Sequence, residues 1–376
     1  MKKLKIAVVI PTHFDIHSSL KNLLKVYQYL MKTKNAEVTI FTDRKNDVSY
    51  SGFKVVKISS LDYKNILCRI LFVLGIPRFY YTDLIEKLKG YDIIESSNPE
   101  FYIFAYQSYL AAKKYNARLV YRTSQTVEGF YLFNLAKYLV IPIMKKAYDY
   151  ASAYLFANPE AEERCVRLGL IGKNSKKSFI VGHPTDIDTF KPMNVKKENK
   201  KIILSVGGLY EIKGHHLVIK ALKNIIDSGH KNAELWIVGE GFYKMNLMNL
   251  AEKLGISNKV KFLGNKSHED LAKIYNKSDI FVLANYQEIT PAVNEAMACG
   301  KPVVVMECGG REFAVPNEKY GLIAKRFDTE DIANKIIKLI ENKKLSNQIA
   351  HNGRKRIIKN FSVEDVSRKI CKAAID

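Results

Sequence analysis

Glu295 is the residue least suited to its surroundings in this chain. It lies in the run 291–299, where its neighbours are only Pro, Ala, Val, Asn, Met and Cys. The element therefore reads as buried, and an unpaired carboxylate there is costly. A partner must exist, either a lysine of the protein or a ligand, and the flanks favour a ligand. Thr290 stands where it can cap a helix whose first residue, Pro291, has no N–H to leave unsatisfied. The N–H groups of Ala292 and Val293 then point out of the helix start as an anion site. Gly300 and Pro302 stop the helix. Strand-like runs at 280–283 and 302–306 flank it, which makes a βαβ unit whose polar loop carries a second carboxylate, Glu288.

Three more strand-then-glycine passages could reach the same ligand. SVGGLYEIKG, residues 205–214, runs a buried strand into a glycine turn at Gly208, with Lys213 five positions later as a point charge for a diphosphate. VGEG at 238–241 and VKFLG at 260–264 repeat the pattern around Gly239 and Leu263. Each glycine turn alone is weak evidence, and a lone lysine is more often an exposed side chain.

With these residues in view, EAMACGKPVV at 295–304 resembles the signature of the retaining glycosyltransferases of family four, the glycosyl transferases group 1. The resemblance implies the GT-B fold, an α/β class of two doubly wound Rossmann-like domains facing across a cleft. It implies that Glu295 bonds the nucleotide ribose, that Glu288 contacts the donor sugar, and that Thr290, Pro291, Ala292 and Val293 hold the diphosphate. Lys213 matches the family's phosphate-binding lysine, and the loops at Gly239 and Leu263 match those lining base and ribose. Lys213 and Glu288 are then the catalytic pair. Two departures stand out. Gly208 occupies the place of the family's arginine, and six residues separate Glu288 from Glu295 where the family usually has seven, so that Gln287 stands at the expected spacing.

The activity implied is transfer of a sugar from a nucleotide-diphosphate sugar to a hydroxyl acceptor with retention, in surface glycan, glycolipid or polysaccharide synthesis. No nucleophile is paired with a base in the sequence, so front-face displacement is expected. The alternatives are a weakened scaffold or binding protein with this fold, and a nucleotide-sugar epimerase. Asp186-Ile187-Asp188 resembles a metal-binding DxD, but its place before Pro192 matches a turn of the family instead, so neither metal nor cofactor is expected. On the acceptor side the family's Gly-Gly loop is replaced by a stretch containing His13. A histidine expected after the strand at 118–122 is missing, and Gln125 is the candidate for hydroxyl contacts there.

These residues need a scaffold of alternating strands and helices, and the patterning provides one. Short β-rich runs at 5–10, 37–42, 54–58, 92–95, 118–122, 153–157 and 179–181 alternate with amphipathic stretches such as 19–32 and 101–114. A charged, Pro-containing linker at 191–201 follows, and the pattern restarts with strands at 202–206, 235–238, 260–263, 280–283 and 302–306. Helices are expected at 215–227, 243–254, 269–276 and 329–342. The domains are read as 1–190 for the acceptor and 202–360 for the donor, with 361–376 as a helix crossing back to the first domain.

Composition sets the remaining bounds. A chain of 376 residues with 47% hydrophobic content can build two cores. The formal charge of +22 is spread evenly, with 28 Lys and Arg against 17 Asp and Glu up to Phe190 and 32 against 21 beyond. That is a solvated coat first, and secondarily a surface for an anionic membrane face. No nucleic-acid module is recognisable. Five scattered cysteines without CxxC spacing suggest neither disulfides nor zinc, and a cytoplasmic protein is the expectation. The apolar stretches 66–76 and 130–144 are too short and interrupted to span a bilayer, and read as core helices or as a peripheral membrane-docking surface.

Overall fold

The computed structural model describes residues 3–10, 18–44, 51–59, 81–97, 103–124, 134–196, 198–286 and 289–375, without the side chains of 18–20 and 134–140. The chain divides into two compact units, one formed by Met1–His183 with Val363–Asp376 and the other by Pro184–Ser362.

In the first unit the described strands are β1 (Leu4–Val9), β2 (Ala36–Asp43), β3 (Lys54–Ile58), β4 (Ile93–Ser97), β5 (Arg118–Thr123), β6 (Ala153–Phe156) and β7 (Ser178–Ile180). They form one sheet in the order β3-β2-β1-β4-β5-β6-β7, and every pairing is parallel. Buried Ile, Val and Ala on both faces explain why these strands read as continuous apolar runs. One face packs under Ser18–Thr33 and the final helix Val363–Ile370, where Val26, Tyr27 and Leu30 meet Val366, Ile370 and Cys371. The other face packs under Ile103–Tyr115 and Asn134–Tyr150 through Ala105, Ala111, Ala112, Met144 and Ala147.

The second unit repeats the plan. Strands β8 (Lys201–Val206), β9 (Ala233–Val238), β10 (Val260–Phe262), β11 (Ile280–Leu283), β12 (Val303–Met306) and β13 (Leu322–Ala324) form a parallel sheet in the order β10-β9-β8-β11-β12-β13. Helix His215–Asp227 leaves β8 toward β9, and the chain later returns to β11 on the other side of β8. The order of connection therefore reverses between β8 and β11, which is where open α/β sheets bind ligands.

Two boundaries differ from those expected. Residues 184–190 belong to the second unit, because Phe190 is buried in its core beside Tyr275 and Phe281 and Thr185 bridges to Ser362. The linker also dissolves at its ends. The Lys191 carbonyl accepts from Asn276 at 2.9 Å, the Met193 N–H donates to Asn276 at 2.8 Å, and Lys201 opens β8. Elements not expected from the sequence include Pro159–Arg167, whose buried positions are only Ala161, Arg164 and Cys165, Lys343–Asn360 with only Ile349, Gly353 and Ile357 buried, and the three-residue β13. The apolar stretch 66–76 lies outside the described residues. Of stretch 130–144, residues 134–144 lie in helix Asn134–Tyr150 and 130–133 lie outside the described residues; no helix among the described residues is long and apolar enough to cross a membrane.

The last helix is anchored in the first unit by its apolar stripe, and Ile370 is 2% exposed. Ile370→Ala removes buried methylenes and leaves a cavity, so it should lower stability by about 2–4 kcal/mol in urea unfolding. An unchanged midpoint would show that this helix does not hold the first unit together.

Candidate active site

The carboxyl edge of β8, β9 and β11 brings backbone together more closely than any side chain would permit. A methyl group added at Gly239, which has φ +141°, would sit 2.0 Å from the Gly207 carbonyl oxygen. One at Gly214, with φ +69°, would sit 2.0 Å from the carbonyl oxygen of Ala284, the residue after β11. Only glycine fits such approaches. Hydrogen bonds then join the loops: Gly207 N–H to Val238 at 3.0 Å, Leu209 N–H to Glu240 at 2.9 Å, Gly239 N–H to Gly264 at 3.1 Å and Tyr286 N–H to Ile212 at 3.3 Å. Four strand ends become one rim of glycine-rich backbone, the geometry that lets a chain approach a phosphate or a ribose closely.

Lys213 emerges from this rim. Its Cγ and Cδ lie 3.9 Å from where a Cβ of Gly207 would be, so the stem runs along the glycine turn. It forms no salt bridge among the described residues. Gly208 is covered by Tyr210, whose ring would be 2.6 Å from an added Cβ, so an arginine there would have to displace that ring. Tyr210 in turn packs on Phe242, centroid to centroid at 5.1 Å, and Phe242 is 81% exposed.

On the β11 side, helix Pro291–Ala298 begins beside the same rim. Its first turn is tighter than expected, because the Val293 N–H bonds the Thr290 carbonyl at 3.1 Å and is not free. With that donor satisfied, the Thr290 side chain makes no cap, and its buried Oγ1 has no partner among the described residues. Glu295 is fully buried and accepts from the Tyr275 hydroxyl at 3.2 Å. Burial first, and the Glu295 charge second, hold the Tyr275 phenol far above its usual pKa, so it stays a donor. Nearby, burial pushes the Cys299 thiol up to about 12, which makes it an inert core residue.

His215, the first residue of helix His215–Asp227, was not singled out from sequence. It is 1% exposed, its Nδ1 lies 3.0 Å from Ser205 Oγ, and its Nε2 lies 3.6 Å from where a Cβ of Gly207 would be. Burial lowers its pKa to about 4, so a neutral imidazole backs the glycine turn. The signal was present as a histidine directly after the Lys-Gly pair, within a pattern that otherwise reads as helix.

Of the other expected residues, Leu263 continues the sheet by donating to Ile237 at 2.8 Å and packs its side chain against the core. Glu288, Gln287, His13 and Gln125 lie outside the described residues. Asp186 uses its carboxylate on its own turn, where Oδ1 accepts from Asp188 N–H at 3.2 Å and Thr189 N–H at 3.3 Å. Among the described residues no cluster of His, Cys, Asp and Glu is arranged to hold a metal.

Comparison with known proteins fits this architecture. Residues 186–356 match the family model of glycosyl transferases group 1. The chain is 29% identical over 296 residues to the N,N'-diacetylbacillosaminyl-diphospho-undecaprenol alpha-1,3-N-acetylgalactosaminyltransferase of Campylobacter jejuni, covering 74% of this chain and 75% of that one. It is 28% identical over 250 residues to the capsular polysaccharide biosynthesis glycosyltransferase CapM of Staphylococcus aureus, covering 63% of this chain and 64% of that one. A crystal structure of a glycosyltransferase from Rickettsia africae superposes with a TM-score of 0.77 at 21% identity, covering 99% of this chain and 98% of that one. Anabaena Alr3699/HepE in complex with UDP does so with a TM-score of 0.77 at 16% identity, covering 98% of this chain and 99% of that one. The fold is GT-B. The match to the glycosyl transferases group 1 family covers most of the second unit.

His215 also gives the site a pH signature. Its folded pKa of about 4 lies below the ordinary 6.5, so below pH 6.5 the unfolded chain takes up a proton that the folded state refuses. The contribution is whole above pH 6.5 and is lost as pH falls toward 4, by about 3 kcal/mol in all. His215→Gln should therefore flatten the fall of unfolding free energy between those pH values. An identical pH slope in both proteins would mean that His215 is not buried neutral.

Proposed function

We propose that this protein transfers a sugar from a nucleotide-diphosphate sugar to a hydroxyl acceptor, with retention at the anomeric carbon, in the synthesis of a surface glycan. The observation that carries this reading is the glycine-built rim at the switch point between β8 and β11, with Lys213 on one side and the Pro291–Ala298 helix start and Glu295 on the other. An ammonium, a helix start and a Thr290 hydroxyl without a partner among the described residues suit a diphosphate, and a buried carboxylate suits the paired hydroxyls of a ribose.

In this reading the chemistry is front-face displacement. The acceptor oxygen forms the new glycosidic bond on the face from which the diphosphate departs, and the leaving phosphate oxygen takes the acceptor proton. Lys213 and the helix start stabilise the charge that grows on the leaving group, a preorganised electrostatic contribution. Glu288 is proposed to hold the sugar. Neither a metal nor a cofactor is required by this scheme.

The acceptor is proposed to be a glycan or lipid-linked glycan reached at the cytoplasmic face of a membrane. Support comes from the undecaprenol-linked substrate in the Campylobacter enzyme's name and from exposed Leu110, Ile143 and Tyr150 in the first unit, with Lys146 between the last two in sequence. A nucleotide-binding scaffold is the second reading, favoured by Gly208 where the family has arginine.

A melting screen against UDP, GDP, ADP and their sugars identifies the donor, since a ligand of the native state raises stability. Product analysis with that donor then decides between a new glycoside of unchanged anomeric configuration, an altered sugar nucleotide, and no product at all. Lys213→Ala should cut transfer at least about 100-fold, and Glu295→Gln should weaken donor binding, both with wild-type circular dichroism. Full activity in Lys213→Ala would refute the site, and binding without turnover in the wild type would favour the scaffold.

A further inference from the structure

The first unit carries a buried charged cluster that the donor site does not use. At the carboxyl end of β5, Arg122 Nε donates to Glu95 on neighbouring β4 at 2.6 Å, and the same Glu95 oxygen accepts from the Tyr27 hydroxyl at 2.5 Å. Glu95 is 3% exposed and Tyr27 is fully buried, while the Arg122 side chain keeps 13% exposure. Core packing alone would not choose such a trio, because a buried ion pair gains little over apolar residues of the same volume. The guanidinium is also incompletely used, since its Nη2 has no hydrogen-bond partner among the described residues.

The next two strands end in groups of the same kind. Asn158 follows β6, is 2% exposed, and has its orientation fixed because its Oδ1 caps helix Pro159–Arg167 by accepting from Ala161 N–H at 2.9 Å. That bond leaves Nδ2 as a donor without a partner among the described residues. His183 follows β7 close enough to Arg122 to feel its charge, and desolvation with that charge lowers its pKa to about 4. The imidazole is therefore neutral at physiological pH. Adjacent carboxyl ends of β5, β6 and β7 thus present a charge-compensated guanidinium, an amide donor and a neutral imidazole.

We propose that Arg122, Asn158 and His183 form a subsite for the hydroxyl groups of a neutral sugar, and that Glu95 sets this preference by cancelling the Arg122 charge. This inference rests on the glycosyl-transfer reading above and names the acceptor's chemistry within it. A phosphate would prefer a guanidinium whose charge is free, whereas N–H donors with little net charge suit hydroxyl oxygens. Tyr27, from helix Ser18–Thr33, acts as a positioning residue by holding Glu95 against Arg122.

The test uses full-length wild type, Arg122→Lys and Glu95→Gln, titrated by NMR with methyl glycosides of glucose, galactose and N-acetylglucosamine, and with glycerol phosphate. At least one glycoside should bind the wild type, and Arg122→Lys should weaken it about tenfold or more. Glu95→Gln leaves the guanidinium uncompensated and should gain glycerol phosphate affinity, a change that a purely structural role would not produce. Should Glu95→Gln fail to fold by circular dichroism, His183→Ala takes its place and should lose glycoside affinity with the fold intact. Absence of glycoside binding in the wild type, unchanged binding in Arg122→Lys or His183→Ala, or a folded Glu95→Gln indifferent to glycerol phosphate would each overturn the proposal. Nucleoside diphosphate binding, followed in parallel, reports the donor site separately, so its loss would count against the transferase reading and not against this subsite.

Discussion

Close backbone approach at Gly239 and Gly214 is the constraint on which the proposed donor site depends. Both residues sit at positive φ, and both bring a Cα against a carbonyl where a single methyl group would overlap it at 2.0 Å. The loops after β8, β9 and β11 can therefore join into one rim only because these positions have no side chain. Lys213 follows from the same geometry, since it directly precedes Gly214 and its stem is laid along Gly207 by the turn that Gly214 permits. The parallel sheet provides the direction, with strand ends and helix starts all at one edge.

Burial then decides what each polar group in that edge can do. Glu295 is held in the core of the second unit by the Tyr275 phenol, whose ionisation burial disfavours, so the phenol stays its donor. His215 is kept neutral by burial behind the glycine turn, while Lys213 brings a positive charge to the rim. In the first unit the same principle operates differently, as the largely buried Arg122 is ion-paired with Glu95. One unit thus offers charge and the other a compensated hydrogen-bonding surface.

Much of this was legible in the sequence, for identifiable reasons. Helix 215–227 and strand 280–283 were bounded correctly because glycine punctuation and apolar periodicity agree there. Helix Lys343–Asn360 was missed because its apolar stripe is thin, and β13 because three residues carry no period. At the site, the isolation of Glu295 and the Lys-Gly pair at 213–214 were visible as violations of local pattern. The Val293 N–H turning back to Thr290 was not, because a tight first turn and an open one have the same capping sequence. The Tyr27–Glu95–Arg122 trio was hidden by sequence separation, as only the sheet order brings β4 beside β5 and under the first helix.

The central claim is that one nucleoside diphosphate is held jointly by the rim around 207–214 and 239–241 and by the start of helix Pro291–Ala298. Hydrogen exchange measured by mass spectrometry, with and without the nucleoside diphosphate that raises the melting temperature, addresses it directly. Slowed exchange in peptides covering all three segments, with the amino ends of β8 and β9 unchanged, is the predicted result. Protection confined to other surfaces, or to only one of these loops, would contradict the account.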